Sequence, residues 1–295
     1  MKVILSRKGL DSENGGIPSP IIQNEYGGWR YYPIPIPREN SGVRYSDLTL
    51  FDDYNVSDFL KDVPFKSKGA ETCHLDPDIH QPYLHNRSLG WHRAFGQSRT
   101  AQDHLNKFGV GRGDVFLFYG WFQFAEVNNG KFRYVKNKDY PNGFHAIYGY
   151  LQVDKVIDPN GNDVPPWLAE HPHVKLKDSA PYRYKSNVVY TSTDFFYYKN
   201  QRVDKNGSIL FTFSDDLILT KKGQQNRTIW ELPSLFHPDN GVQLSYNPAN
   251  NWEKMLDKAL LRSARRGQEF VVKADPEGKV EQWSYGLITS HSVTD

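Results

Sequence analysis

The sequence predicts an α+β protein: one domain over residues 1–295, built on a mainly antiparallel, partly closed β-barrel or sheet with flanking helices. Three observations carry this. The apolar content is unusually aromatic, with 18 Tyr, 17 Phe and 7 Trp against 2 Met, and rings of this kind pair well across strands. Val115-Phe-Leu-Phe-Tyr-Gly-Trp-Phe-Gln-Phe124 is apolar at nearly every position, as in a strand buried on both faces, and His145 to Ile157 reads as a second long strand. Gly120 and Gly149 interrupt these two, which suggests bends or close backbone approach. No repeat or low-complexity linker divides the chain.

Bulk properties narrow the function classes. A net charge of +2 is too small for a protein that coats nucleic acid, although a pocket for a nucleotide needs only local positive charge. A single cysteine, Cys73, excludes an intramolecular disulfide and a Cys-rich zinc site. No run approaches the ~18 apolar residues of a membrane span. Met1 leads straight into an apolar strand without a signal-peptide pattern. A soluble, cytoplasmic protein with no membrane partner is the expectation.

Taken in order, Val3 to Leu5 reads as a strand feeding a polar loop: Ser6, Arg7, Lys8, Gly9, Asp11 and Ser12, then Gly15-Gly16 and Pro18-Ser19-Pro20. Glycines permit positive φ and close approach of a ligand, and the prolines stiffen the exit, so the loop reads as a pocket wall. Pro33, Pro35 and Pro37 confine the next segment to an edge or extended cover. Asn55 is placed to cap a short helix through Val63, with Asp58 at its positive end.

Cys73-His-Leu-Asp-Pro-Asp78 follows. If it is extended, His74, Asp76 and Asp78 project from one side, a set suited to acid–base work or to part of a metal site. The competing reading is a turn whose aspartates cap backbone N–H groups. Half of the ten histidines lie between His74 and His104, yet no established metal signature is present, so no metal is assigned and no cofactor is named. Ser98 caps a predicted helix, Arg99 to Phe108, near which Gln97 is placed to line a pocket.

Asn129-Gly130 signals a hairpin, and strands are expected again at Val188–Thr191 and Ile209–Leu219. Residues 171–187 look the most loop-like. Trp252 to Arg265 shows helical spacing with a basic end at Arg262, Arg265 and Arg266. Glu269–Ala274 is expected to pair with Val280–Trp283.

Together, Leu5-Ser-Arg-Lys-Gly-Leu-Asp-Ser12 with Gly15-Gly-Ile-Pro-Ser-Pro20, His74-Leu-Asp-Pro-Asp78, and Gly111-Arg-Gly-Asp-Val-Phe-Leu-Phe-Tyr-Gly-Trp-Phe122 resemble the nucleotide-modification-associated domain family, the third of that name. The resemblance runs along the whole chain and implies a bacterial or phage setting linked to modification of DNA bases. More loosely, the middle of the chain, around 110–220, is similar to PUA-like barrels, which hold modified bases or RNA in an aromatic pocket.

Two functions from different classes are therefore expected. In an enzyme acting on a nucleotide or nucleic-acid base, Arg7 and Lys8 hold phosphate, and Asp76 or Asp11 serves as base or steadies a developing cation. His74 moves a proton, Ser6, Ser12, Ser19 and Gln97 bind substrate, and Trp121 and Phe122 stack on the base. In a non-catalytic reader, a PUA-like barrel binds a modified base through Trp121. A third reading makes the polar motifs hydrogen-bond networks that tie the first strand into the sheet.

Overall fold

The computed structural model describes residues 1–24, 27–179, 186–264 and 269–292. Its principal sheet has eleven strands. In chain order these are β1 (Val3–Arg7), β2 (Ser19–Gln23), β3 (Trp29–Tyr31), β4 (Ala94–Ser98), β5 (Val115–Asn128) and β6 (Lys131–Tyr134). Next come β7 (Phe144–Ile157), β8 (Asn187–Ser192), β9 (Ser208–Leu210), β10 (Gln243–Leu244) and β11 (Glu269–Ala274). The spatial order is β10-β11-β1-β5-β7-β8-β4. Pairing is mainly antiparallel, with parallel pairs at β1–β5 and β2–β5.

The aromatic run of β5 is central, as its composition requires. Val115 to Gly120 are all buried, with β1 on one edge and β7 on the other. The β5–β7 register shifts between Phe118 and Tyr119, next to the predicted bend at Gly120. β1 and β2 lie end to end along the same edge of β5: Val3–Arg7 pair with Val115–Tyr119, and Ser19–Ile22 with Phe122–Ala125. The polar loop is thus the excursion between two collinear strands.

Inside that loop the glycines serve packing. Gly15 (φ +88°) sits against Leu10 and Phe65, and Gly16 (φ +72°) against the Lys66 stem, positions where any Cβ would clash. The chain itself approaches these two backbones. Leu10 and Ile17 join a second apolar cluster with Phe59 of helix α1 (Val56–Asp62), which Asn55 caps through Asp58 N–H at 3.1 Å.

The sheet curls strongly. Phe95 of β4 packs on Phe116 and Phe118 of β5, with ring centroids 4.9 and 5.2 Å apart, although two strands lie between them in the ladder. Among the described residues no strand pair closes the curl. The gap between β4 and β11 is crossed by side chains, with Gln97 Nε2 donating to Glu269 Oε1 at 2.5 Å.

Four expectations about local structure are corrected. Residues 252–262 form two strands, Trp252–Lys254 and Lys258–Arg262, not a helix. Met255 and Leu256 are exposed at the turn, while Ala259 and Leu261 alternate into the core with period 2, which the helical spacing had masked. Arg262 is an exposed strand residue, and Arg265 and Arg266 lie outside the described residues. Val280–Trp283 belongs to helix α4 (Lys279–His291), because the Asp275 carboxylate accepts from the N–H groups of Lys279, Val280 and Glu281. β11 pairs with β1 and β10 instead. The predicted strand over Ile209–Leu219 is limited to β9, beyond which the chain turns. Ser98 does precede helix α2 (Arg99–Lys107), but its side chain makes no capping bond.

Candidate functional site

The strand Thr72–His74 pairs with Ile36–Pro37 and Val43–Arg44, which fixes His74 opposite Ile36. The chain then runs along the free edge of β4. Asp78 and Ala94 exchange backbone hydrogen bonds, and Gly96 N–H donates to Asp76 Oδ1 at 2.7 Å. Helix α3 (Pro172–Lys175) covers the outer side of the same strand. A Cβ at Gly96 would lie 2.3 Å from His173 Cδ2, so glycine is what allows this approach.

The result is a buried carboxylate ringed by imidazoles. The Asp76 side chain is 4% exposed. His171 Nε2 lies 3.5 Å from its Oδ1, while His173 Nε2 and His74 Nδ1 lie 3.8 and 4.0 Å from its Oδ2. Hydrogen bonds on the far sides of two rings assign their tautomers. Asn187 Nδ2 donates to His173 O at 2.9 Å, which turns Asn187 Oδ1 toward His173 Nδ1 at 2.6 Å. That nitrogen is therefore the donor, and in the neutral ring Nε2 presents a lone pair to Asp76. His171 is the reverse: its Nδ1 accepts from His173 N–H at 3.3 Å, so Nε2 carries the proton facing Asp76 Oδ1.

Burial is the largest influence on His74 and His173 and pushes them down to about 4 and about 3, outweighing the attraction of Asp76. Burial alone would raise the Asp76 carboxyl. The nearby His171 Nε2 proton, then the other facing imidazoles, outweigh it and hold the group well below the usual carboxylate range. Asp76 lines a small cavity with Gly9, Tyr83 and Tyr148, and His171 lines a neighbouring pocket with Arg87, Trp91 and Trp167.

Lys8 lies near enough to His74 for its charge to lower that ring further. Its ammonium bonds Glu269 Oε1 at 2.9 Å and sits 4.4 Å over the Phe95 ring. The two side chains are 9% and 1% exposed. Gln97 donates to the same carboxylate oxygen. Glu269 Oε2 and the buried Ser6 Oγ have no hydrogen-bond partner among the described residues.

Arg7 belongs to a different corner. Neighbouring strand residues point to opposite faces, and Arg7 acts on Tyr119, His145 and Arg227 instead. The Arg227 guanidinium stacks 3.9 Å over the Trp121 ring and donates to Ser12 Oγ. Burial, then the nearby Arg7 charge, lower the Arg227 pKa. Asp11 Oδ1 is engaged in the turn, accepting from Glu13 N–H, Asn14 N–H and Asn14 Nδ2. Ser19 Oγ accepts from Ile34 N–H at 2.9 Å. Phe122 is 1% exposed and packed edge-on against Tyr31 and Tyr148, so its faces serve the core.

Thus the fold gathers His74 and Asp76, sets Lys8 and Gln97 nearby, and puts Arg7, Ser12 and Trp121 together elsewhere. Asp78 does not share the side of Asp76: its Oδ2 pairs with Arg87 and accepts from Trp91 Nε1 at 2.9 Å. The histidines expected to follow His74 are dispersed. His85 bonds Thr49, and His104 bonds Ser245 and stacks on Tyr246. His171 and His173 complete the cluster from the stretch that looked most loop-like. The available signal was their i, i+2 spacing, which repeats that of His74 and Asp76.

Compared with protein families, residues 2–273 match the model of nucleotide modification associated domain 3. The chain belongs to that family. No curated protein and no solved structure matches it. The family's name associates this chain with nucleotide modification. No helix among the described residues is long and apolar enough to cross a membrane.

Proposed function

We propose that this member of the family is an enzyme that modifies a nucleotide or a base in nucleic acid, with its reacting centre at the Asp76 cluster. One observation carries the reading: an ionised carboxylate, 4% exposed, faces imidazole nitrogens beside a small cavity. A charge buried in this way is costly and suits a group that meets a cation or a developing positive charge. In this reading Asp76 steadies that charge, His74 borders the reacting group, and Lys8, held by Glu269, sets the field around both. Asp11 acts by shaping the loop.

The Arg7–Arg227–Trp121 corner supports a second reading, in which a PUA-like sheet binds a modified base without chemistry. A stacked guanidinium on a half-buried indole, with a second arginine near it, suits phosphate and a base plane.

Mass spectrometry of nucleosides recovered after incubating the chain with nucleotides and with DNA separates the two. The enzyme reading expects a mass change that Asp76→Asn abolishes and Trp121→Ala leaves in place. An unchanged mass, with oligonucleotide binding that Trp121→Ala removes, overturns it in favour of the reader.

A further inference from the structure

The distances around Asp76 Oδ2 do not fit a hydrogen-bonded cluster. Its neighbours, His173 Nε2 and His74 Nδ1, stand 3.8 and 4.0 Å away, whereas an N–H···O bond needs roughly 2.7–3.2 Å. A bridging water would hold its partners about 4.5 Å apart, given two such bonds at a tetrahedral angle. An ion bonded at about 2.0–2.3 Å to each donor sets those donors roughly 3–4 Å apart. Donor atoms of His74, Asp76 and His173 all lie within 4.8 Å of one another.

The tautomers point the same way. His173 Nε2 is the lone-pair nitrogen, because Nδ1 donates to Asn187 Oδ1, so a nitrogen lone pair and a carboxylate oxygen face each other. Two acceptors in that arrangement call for a cation between them. The other Asp76 oxygen already accepts from Gly96 N–H at 2.7 Å and faces the His171 Nε2 proton at 3.5 Å, which leaves Oδ2 for the ion. Asn187, Gly96 and His171 thus form the outer support that metal-ligating imidazoles and carboxylates ordinarily have.

We propose that His74 Nδ1, Asp76 Oδ2 and His173 Nε2 ligate one divalent first-row transition-metal ion. Two imidazoles and one carboxylate select Mn2+, Fe2+, Co2+ or Zn2+ over the oxygen-seeking Mg2+ and Ca2+. Three protein ligands leave further coordination positions for other groups, and Asp76 also lines the small cavity with Tyr83 and Tyr148. The inference deepens the enzyme reading, on whose cluster it rests, and sets a cation against the buried carboxylate.

The test loads the chelator-treated full chain with Co2+ or Zn2+ alone and measures stoichiometry by elemental mass spectrometry and affinity by the Co2+ visible spectrum. One ion per chain is expected. His173→Ala and Asp76→Asn should each weaken binding more than 100-fold. Asn187→Ala, which keeps all three ligands, should weaken it about 10–100-fold. His85→Ala should leave it unchanged. X-ray absorption of the Zn2+-loaded wild type needs no variant and should show an all-nitrogen and oxygen shell with two imidazoles.

No stoichiometric ion, a sulfur ligand, or equal affinity in folded His173→Ala and Asp76→Asn overturns the site. A chain that binds the ion but leaves nucleotides unaltered keeps the site and retires the enzyme reading. A chain that modifies nucleotides at full rate with no ion bound does the reverse.

Discussion

Arg7 and Lys8 are consecutive cations, one the last residue of β1 and the other just past it, and the fold gives them opposite lives. Lys8 is drawn inside against Glu269, Gln97 and the face of Phe95, close to the Asp76 cluster. Arg7 sits with Arg227, Ser12 and Trp121 in a half-buried corner. The difference follows from strand alternation: adjacent side chains leave a strand on opposite faces, so a basic pair in sequence is split in space. A charge cluster in a sequence is therefore no measure of a charge cluster in a protein.

Lys8→Met should have the largest effect. Removing one partner strands the Glu269 charge in the interior, and a loss of about 3–5 kcal/mol is expected from urea unfolding. The double variant Lys8→Met/Glu269→Leu should recover most of it. If Lys8→Met costs as little as a surface substitution, the two cations are not in different environments.

Gly96→Ala probes the inner region without removing a polar group. The new methyl displaces the His173 ring, with an expected cost of about 1–3 kcal/mol in thermal or urea unfolding. It should also weaken Co2+ binding, while any oligonucleotide binding that Trp121 supports should stay as it was.

The outer corner has its own pH signature. His145 is buried, accepts from Trp230 Nε1 at 3.0 Å, and is held well below the usual histidine range by burial and then by Arg227 and Arg7. A folded pKa below the unfolded value means that the unfolded chain binds the extra proton first. Stability from His145 is therefore present above about pH 6.5 and lost as pH falls below it, at up to about 1.4 kcal/mol per pH unit. His145→Gln retains an acceptor for Trp230, and its urea midpoints between pH 6.5 and 5 should fall less steeply than those of the wild type.

Trp121→Ala is the mildest. Its ring is only half-buried, and the lost cation–π contact is worth about 0.5–1 kcal/mol in the unfolding free energy. Its effect should show in ligand binding.

Much of this was legible beforehand. Continuous apolar runs marked the two long strands, Asn129-Gly130 the hairpin, and Asn55 with Asp58 the capped helix, because each signal is local. His74 and Asp76 stood out by residue type and spacing. The strands at 252–262 were misread because two exposed turn residues, Met255 and Leu256, happened to continue a helical spacing. The Asp275 cap made a helix of a segment expected to be a strand.

An α+β chain organised on aromatic strands, its family and one half of the candidate centre could be read from residue order alone. Tertiary structure alone decided the other half. His171 and His173 reach Asp76 because α3 lies across Gly96 at the outer face of β4. Lys8 approaches His74 because the sheet curls until β4 faces β11. Curl and cross-sheet approach are set by the summed packing of many side chains, and no local pattern records which distant residues they bring together.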